Sequence, residues 1–149
     1  MDKTKQPGIE FNGIILSEIS FKRDAILTVG LDVVVNFSSV RNIDGEKGTL
    51  IIDTDLKLLK NEKVFVNLHT KHVGLFSLDD NPNLNMDEFL KCHAAALVFP
   101  YIRESISDIT CKAGMNTVIL PPMNIIALLN ISDSESIASA LTEPRLRKN

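Results

Sequence analysis

The amino-acid sequence predicts an α+β fold, with a four-stranded antiparallel meander sheet and, on one face of it, a long kinked helix and shorter C-terminal helices. Apolar and polar residues alternate through most of the first half of the chain. From Met86 to Ile109, apolar residues recur instead at spacings of three and four, as in a helix with one apolar face. Pro100 lies inside this helical stretch, and an interior proline costs about 3 kcal/mol, so we expect a kink there that packing on the sheet makes tolerable.

Alternation predicts four strands, which cover residues 14–22, 31–39, 50–59 and 63–71. The turn-forming run Asn42-Ile43-Asp44-Gly45 follows the second strand and predicts a hairpin. The third strand alternates most regularly, with Leu50, Ile52, Thr54, Leu56 and Leu58 on one face and Ile51, Asp53, Asp55, Lys57 and Leu59 on the other. One face of the sheet is therefore expected to carry the helices and the other to meet water.

The long helix has clear start and stop signals. Asn85 is an N-cap, and Glu88 three residues later completes a capping box. The apolar pattern continues past Pro100, and Lys112 and Gly114 supply a C-terminal charge and a C-cap.

Two shorter helices are predicted after the long one. Asn124 is placed to cap a helix at residues 125–129, and Ser132 with Glu135 forms a capping box for a last helix that ends near Pro144. We expect a single domain over residues 1–149, with flexible ends at 1–12 and 144–149.

Composition limits the classes of partner and compartment. The chain has 16 Lys and Arg against 19 Asp and Glu, a net charge of −3, and no long basic stripe, so nucleic acid is not an expected partner. No apolar run approaches the roughly 20 residues of a membrane span, and the first ten residues lack the apolar core of a signal peptide. Cys92 and Cys111 both lie in the helical pattern, which favours a reducing compartment, the cytoplasm.

Candidate catalytic groups do not form an active site. Cys92 and His93 are neighbours in a helix and should point about 100° apart. Asp53 and Asp55 share a strand face about 6.5 to 7 Å apart, but that face is the one expected to be solvated. Residues 45–49 lack the spacing of a phosphate-binding loop, and paired Cys-x-x-Cys spacing is absent. We expect no enzyme activity, cofactor or metal.

Some apolar residues exceed what one small sheet and one long helix can bury. They lie at Ile26, Leu27 and Val29 and in the segment 125–129. Exposed apolar patches usually mark association or binding surfaces. Oligomer contacts would explain them, and so would binding of extended apolar polypeptide, for which sheet edges and aliphatic grooves are suited.

Three short segments resemble those of a known family. The run Phe99-Pro100-Tyr101-x-Arg103-Glu104, the preceding Gly74-Leu75-Phe76 and the later Pro122-Met123-Asn124 are similar to segments of the bacterial protein-export chaperone SecB, and the resemblance covers roughly residues 31–129. It implies a homotetramer, a dimer of dimers with the helices between the sheets. It also implies an ATP-independent holdase whose apolar grooves keep client polypeptides unfolded.

The resemblance also assigns positions to the client groove. Ile125, Leu128 and Leu129 occupy the helix segment that lines the family's groove, and Val33 and Val35 approximate its strand wall. With the apolar residues of the preceding loop, our client-groove candidates are Ile26, Leu27, Val33, Val35, Ile125, Leu128 and Leu129.

In the family, an acidic outer sheet face docks the export ATPase SecA. The matching positions here are Glu18, Lys22, Asn67 and His69, of which only Glu18 is acidic, so we expect SecA docking to be weak or absent. The connection near residues 23–30 is shorter than the family's crossover loop and lacks its aromatic residues. Two alternatives stay open: a SecB-like chaperone whose client is the antitoxin of a toxin-antitoxin system, and a non-chaperone oligomeric adaptor.

Overall fold

The computed structural model describes residues 8–78 and 85–134. These residues form a four-stranded antiparallel sheet with helices on one face, which confirms the α+β class. The elements are β1 Ile9–Arg23, β2 Asp32–Asp44, β3 Lys47–Lys60, β4 Lys63–Leu78, α1 Met86–Cys92, α2 Ala94–Lys112 and α3 Ile125–Ser134.

The strand order is β1-β4-β3-β2, so only β2, β3 and β4 form a meander. The expectation of a meander through all four strands is wrong in this respect, because β1 pairs with β4 rather than with β2. Residues 24–31 cross to the far edge of the sheet. Eight residues can reach about 26 Å, whereas three strand spacings amount to only about 14 Å. The alternation of β1 sets its faces but does not choose its neighbour.

Two tight turns join the strands of the meander. The predicted hairpin after β2 is confirmed, with Gly45 at φ +63° in the first turn position. The second hairpin turns at Asn61 and Glu62, which have φ of +52° and +71°. Positive φ at both central residues is typical of a type I′ turn, whose twist matches that of the flanking strands.

The sheet begins earlier than predicted. Residues 9–12 were expected to be part of a flexible end, yet they belong to β1, where Glu10 pairs with Ser77 and the ring of Phe11 stacks on that of Phe76 at 5.1 Å. Aromatic stacking of this kind adds to the backbone pairing. Residues 1–7 and the predicted flexible end at 144–149 lie outside the described residues.

The helical stretch continues through Pro100 as predicted, but it is interrupted at His93, which the sequence did not predict. Asn85 Oδ1 accepts a hydrogen bond from the Glu88 amide at 3.1 Å, which confirms Asn85 as the N-cap. The break falls at His93, which ends α1 and begins α2, whereas Pro100 lies inside α2 without ending it. His93 has φ −132°, outside the helical range, so it terminates one hydrogen-bond series and starts the next.

The end of α2 and the start of α3 follow the sequence signals. Gly114 has φ +73°, the left-handed conformation that commonly follows a helix. Asn124 Oδ1 accepts a hydrogen bond from the Ala127 amide at 3.1 Å and caps α3 as predicted. Because α3 continues to Ser134, no helix starts at Ser132, and the rest of the predicted last helix lies outside the described residues.

The core lies between the sheet and the helices. The predicted inner face of β3 is buried throughout, and it packs with the inner residues of α1 and α2. Two glycines allow the close approach: a Cβ on Gly48 would lie 2.5 Å from Met86 Sδ, and one on Gly74 would lie 2.8 Å from Val98 Cγ2. The helices therefore rest directly on the backbone of β3 and β4.

Candidate functional site

A cleft of about 950 Å³ opens at one end of the sheet. One wall is the loop between β1 and β2, and the other is the segment that follows α2. Its lining contains no ionisable side chain and consists of Leu27, Thr28, Val29, Gly30, Leu31, Val33, Leu58, Gly114, Met115, Asn116, Thr117, Val118 and Ile119. Such a surface can hold an apolar chain without demanding a charge from it.

Arg23 holds the two walls of the cleft together. Its Nε and Nη2 donate to the carbonyls of Asp24 and Ala25 in the first wall, at 2.8 and 2.9 Å. Its Nη1 donates to the carbonyl of Ala113 at the end of α2, at 2.8 Å. The guanidinium thus uses several of its fixed donors to set the spacing between both segments.

The second wall is tied to α2 by side chains of that helix. Thr110 Oγ1 accepts a hydrogen bond from the Val118 amide at 2.9 Å, and Ser107 Oγ donates to the Val118 carbonyl at 3.1 Å. Arg103 Nε donates to the carbonyl of Leu120 at 2.8 Å. These bonds satisfy the backbone of an irregular segment and hold it in place.

The mouth of the cleft exposes apolar side chains. Val29 on one wall is 83% exposed, and Ile119 on the other is 67% exposed. Ile26, in the loop that forms the first wall, is 82% exposed but does not line the cleft. Exposed aliphatic residues that face each other on two walls are typical of a binding surface, unlike apolar residues that are scattered singly over a surface.

The structure divides the predicted groove residues into three groups, of which the first is Ile26, exposed and outside the cleft lining. Leu27 and Val33 line the cleft. The remaining candidates from β2 and α3 are at most 6% exposed and belong to the core: Val35, Ile125, Leu128 and Leu129. In this conformation they lie in the core and not in an open groove, because α3 turns its apolar side onto β2; their role in client binding stays a prediction.

Sequence reasoning missed most of the second wall. None of the predicted groove residues lies between Met115 and Ile119, which line the cleft. The sequence signal that could have identified this wall is its composition, since Met115, Val118 and Ile119 are apolar residues in a loop, where polar residues are usual.

Two of the family-like motifs meet in a smaller cavity of about 190 Å³ between α2 and α3. Phe99 and Pro100 line it from α2, and Met123 and Asn124 line it from the start of α3. The paired occurrence of the motifs therefore reflects a contact between the two helices.

The outer sheet face brings the four predicted docking residues together. Glu18, Lys22, Asn67 and His69 all lie on the side opposite the helices, on β1 and β4. His69 Nε2 lies 3.2 Å from Asp53 Oδ1 and 3.7 Å from Glu18 Oε1. Asp53 was not among the predicted docking residues, and register alone places it here, since it pairs across β3 and β4 with Lys71.

The carboxylates on this face lie close to His69 and Lys71. His69 Nδ1 lies 3.0 Å from Asp55 Oδ1, and Lys71 Nζ lies 3.7 Å from Glu18 Oε2. The pair Asp53 and Asp55, weighed as a catalytic pair, therefore flanks an imidazole on an open sheet face. The carboxylates of Glu18, Asp53 and Asp55 on this face each have His69 or Lys71 as a close neighbour.

The described residues contain no group of three or more His, Cys, Asp or Glu arranged to hold a metal ion. Within residues 8–78 and 85–134, no helix is both long enough and apolar enough to cross a membrane. Cys92 and Cys111 are free thiols.

Residues 3–135 match the family described as preprotein translocase subunit SecB. The chain belongs to the SecB family. Among the described residues, the match covers the sheet, the helices α1 to α3 and both walls of the cleft. This is the family that the three short motifs resembled.

Relatives include SecB proteins and an uncharacterized one. The protein-export protein SecB of Nitrosomonas eutropha is 29% identical over 104 residues, which are 68% of this chain and 65% of that protein, just under two thirds of its length. The SecB of Nitrosomonas europaea is 27% identical, over 70% of this chain and 68% of that protein. An uncharacterized protein of Methanocaldococcus jannaschii is 30% identical, over 81% of this chain and 76% of that protein.

A solved structure shares the fold. A Mycobacterium tuberculosis SecB-like chaperone, solved in complex with a peptide from an antitoxin, has a TM-score of 0.70, 16% sequence identity, and coverage of 78% of this chain and 91% of that chain.

Proposed function

We propose that this SecB-family chain is an ATP-independent holdase that binds unfolded polypeptide in the cleft between residues 27–31 and 114–119. The observation that supports it is the pair of exposed aliphatic walls, with Val29 and Ile119 at the mouth and no ionisable group in the lining. The apolar side chains of a client enter the cleft, and its charged side chains stay in water.

Affinity in such a cleft comes from area rather than from specific contacts. Burial of apolar surface contributes about 25 cal/mol per Å², and the entropy of ordering the client offsets a large part of that. The result is weak binding with little sequence preference. Clients that fold slowly expose apolar segments longest and are captured, and release needs no nucleotide.

The test is refolding of a slow-folding client with and without stoichiometric protein, in the absence of ATP. The parent should slow recovery of client activity, whereas Val29→Asp and Ile119→Asp should restore most of the spontaneous rate, because a carboxylate in the mouth must be desolvated. Ile15→Asp is the matched control, since Ile15 is an exposed aliphatic residue outside the cleft. Equal arrest by all three variants would contradict the cleft, and no arrest by the parent would contradict the holdase.

We further propose a cytoplasmic homotetramer, a dimer of dimers, with only weak docking to SecA. The support for weak docking is the outer face, where Glu18, Asp53 and Asp55 already face His69 and Lys71. A partner that needs these carboxylates must first displace the side chains of His69 and Lys71. Light scattering would give the oligomer mass, and tight association with SecA at physiological salt would contradict the docking proposal.

An antitoxin is a second candidate client. The observation that favours it is the likeness of the fold to a SecB-like chaperone that was solved with an antitoxin peptide. Co-expression with the antitoxin of a neighbouring gene pair would test it: protection of the antitoxin from proteolysis, lost in Val29→Asp, is expected. The adaptor alternative would gain support if an apolar dye found no accessible groove in the native oligomer.

A further inference from the structure

The tip of the β3–β4 hairpin carries two lysines directly opposite each other. Lys60 and Lys63 flank the tight turn at Asn61 and Glu62, and they are paired across the two strands. Like charges at such a position repel each other and destabilise a hairpin. The hairpin itself therefore gains nothing from this pair of charges, and both ammonium groups contact another part of the chain instead.

That part is the loop between β1 and β2, which forms the first wall of the cleft. Lys63 Nζ donates to Asp24 Oδ2 at 2.8 Å, at the start of the loop. Lys60 Nζ donates to the carbonyl of Val29 at 3.2 Å, near the end of the loop. The loop is thus attached to the hairpin tip at two points, on either side of residues 25–28.

Lys60 holds the part of the loop that has little other attachment. Within the described part of the chain, its bond to Val29 is the single hydrogen bond that residues 26–31 make. Gly30 has φ +74°, a left-handed conformation that favours glycine, and Lys60 Nζ lies 3.6 Å from the place of a Cβ on Gly30. Lys60 therefore fixes the stretch that exposes Val29 at the mouth of the cleft.

Lys63 holds the start of the loop through an exposed ion pair. Its Nζ also lies 4.4 Å from the centroid of the Phe65 ring, a cation–π contact that orients it. The side chains of Lys63 and Asp24 are 59% and 45% exposed, so salt screens their attraction. Such a pair adds little to the stability of the whole fold, but it can shift the equilibrium of a loop by up to about fivefold.

We propose that Lys60 and Lys63 are positioning residues for client binding: the hairpin tip clamps the loop at residues 24–31 through two ammonium groups and so fixes the first wall of the cleft. This rests on the proposed holdase function, in which the cleft is the client site. With the clamp closed, the wall is ordered before a client arrives, so less entropy is lost on binding. With the clamp released, the client itself must order the loop and binds more weakly.

The first test uses the lack of charge in the cleft. Its lining has no ionisable side chain, so a labelled neutral peptide of leucine, alanine and serine should respond to salt only through the clamp. Raising NaCl from about 50 to about 500 mM should weaken its binding to the parent about threefold in fluorescence anisotropy. The double variant Lys60→Met with Lys63→Met should bind about threefold more weakly at low salt and lose the salt dependence.

A lysine at the other hairpin provides the matched control. Lys47 is exposed at the start of β3, at the opposite end of the strand from the clamp. Lys47→Met removes the same charge and should keep the parent's affinity and salt dependence. Equal affinity of the parent and the double variant would overturn the clamp and leave the holdase standing. A parent that neither binds the peptide nor slows client refolding would overturn both.

Hydrogen exchange reports the clamp without any client. The Asp24 amide donates to the Phe65 carbonyl at 2.9 Å, and this bond breaks when the loop leaves the hairpin. Its exchange should be about fivefold faster in the double methionine variant than in the parent and in Lys47→Met. Equal exchange in all three proteins would contradict the clamp, whatever the peptide affinity.

Charge reversal separates positioning from a merely structural role. Asp24→Lys and Lys63→Asp each place like charges together, so each should weaken peptide binding at least about threefold. Combined, they restore an opposite pair and should recover most of the parent's affinity and its salt dependence. The thermal midpoint should stay unchanged throughout. A combined variant as weak as the weaker single variant would overturn the proposal.

Discussion

Replacement of Gly74 by alanine tests how the helices rest on the sheet. Gly74 lies on β4 within one of the family-like motifs, and a Cβ there would lie 2.8 Å from Val98 Cγ2 and 3.0 Å from Phe76 Cε2. Ordinary carbon contacts are about 3.5 to 4 Å. Val98 and Phe76 are both buried, so neither has free space to move into.

The expected cost follows from two opposing effects. An added methyl group in a well-packed core typically costs about 1 to 3 kcal/mol. Replacing glycine where φ is ordinary gains about 0.4 to 1 kcal/mol through the unfolded chain, and Gly74 is not among the residues with positive φ. We therefore expect Gly74→Ala to lower the free energy of unfolding by about 1 to 2 kcal/mol.

A double-mutant cycle with Val98 measures the contact itself. Val98→Ala alone should also destabilise, by about 2 kcal/mol, because it leaves a cavity under α2. In the double variant the alanine at position 74 fills part of that cavity, so the loss should be smaller than the two single losses added, by about 1 kcal/mol.

The assay is urea unfolding at one fixed protomer concentration, since association makes apparent stability depend on concentration. A neutral or stabilising Gly74→Ala would refute the close packing of α2 on β4. Strictly additive losses in the cycle would show that the cost arises elsewhere than at the contact with Val98.

Three further outcomes are expected. Glu62→Gly should raise the free energy of unfolding by about 0.5 to 1 kcal/mol, because φ of +71° strains a non-glycine residue. Glu46→Gly is the control and should not stabilise, because φ there is not positive. Equal effects of the two variants in urea unfolding would contradict the turn assignment. Burial lowers the pKa of His72 from its ordinary 6.5, so on acidification the unfolded chain takes up a proton before the folded chain does. The free energy of unfolding therefore falls as pH drops below about 6.5. His72→Gln, which keeps a partner for Ser105, should flatten that pH dependence, and an unchanged slope would point to other groups. Arg23→Lys should weaken binding of a labelled apolar peptide to the cleft about tenfold, because the two walls are no longer held together. Fluorescence anisotropy measures the binding, and the thermal midpoint is the control for folding.

Local signals predicted the elements and their faces. The alternation in β3 placed its inner residues correctly, because adjacent side chains of a strand point to opposite faces whatever the neighbouring strand is. Asn85 and Asn124 were identified as caps for a similar reason, since a cap bonds to an amide within three residues.

The helix break shows where a local signal was weaker than packing. α2 continues through Pro100, while the helical stretch breaks at His93, where no sequence signal predicted a break. Val98 and Ile102, before and after Pro100, are buried, and Gly74 opposite allows α2 to stay close to the sheet. Packing along the whole helix outweighed the loss of one hydrogen bond.

The sequence by itself determined the family, the faces of β3, the start of the helical stretch at Asn85, its end before Gly114 and the start of α3, because these depend on residues a few positions apart. Only the tertiary structure decided that β1 lies beside β4, that the apolar side of α3 belongs to the core, and that segments near residues 29 and 119 face each other across a cleft. Periodicity shows that a side is apolar. What covers that side depends on the packing of segments far apart in the chain, which no local pattern contains.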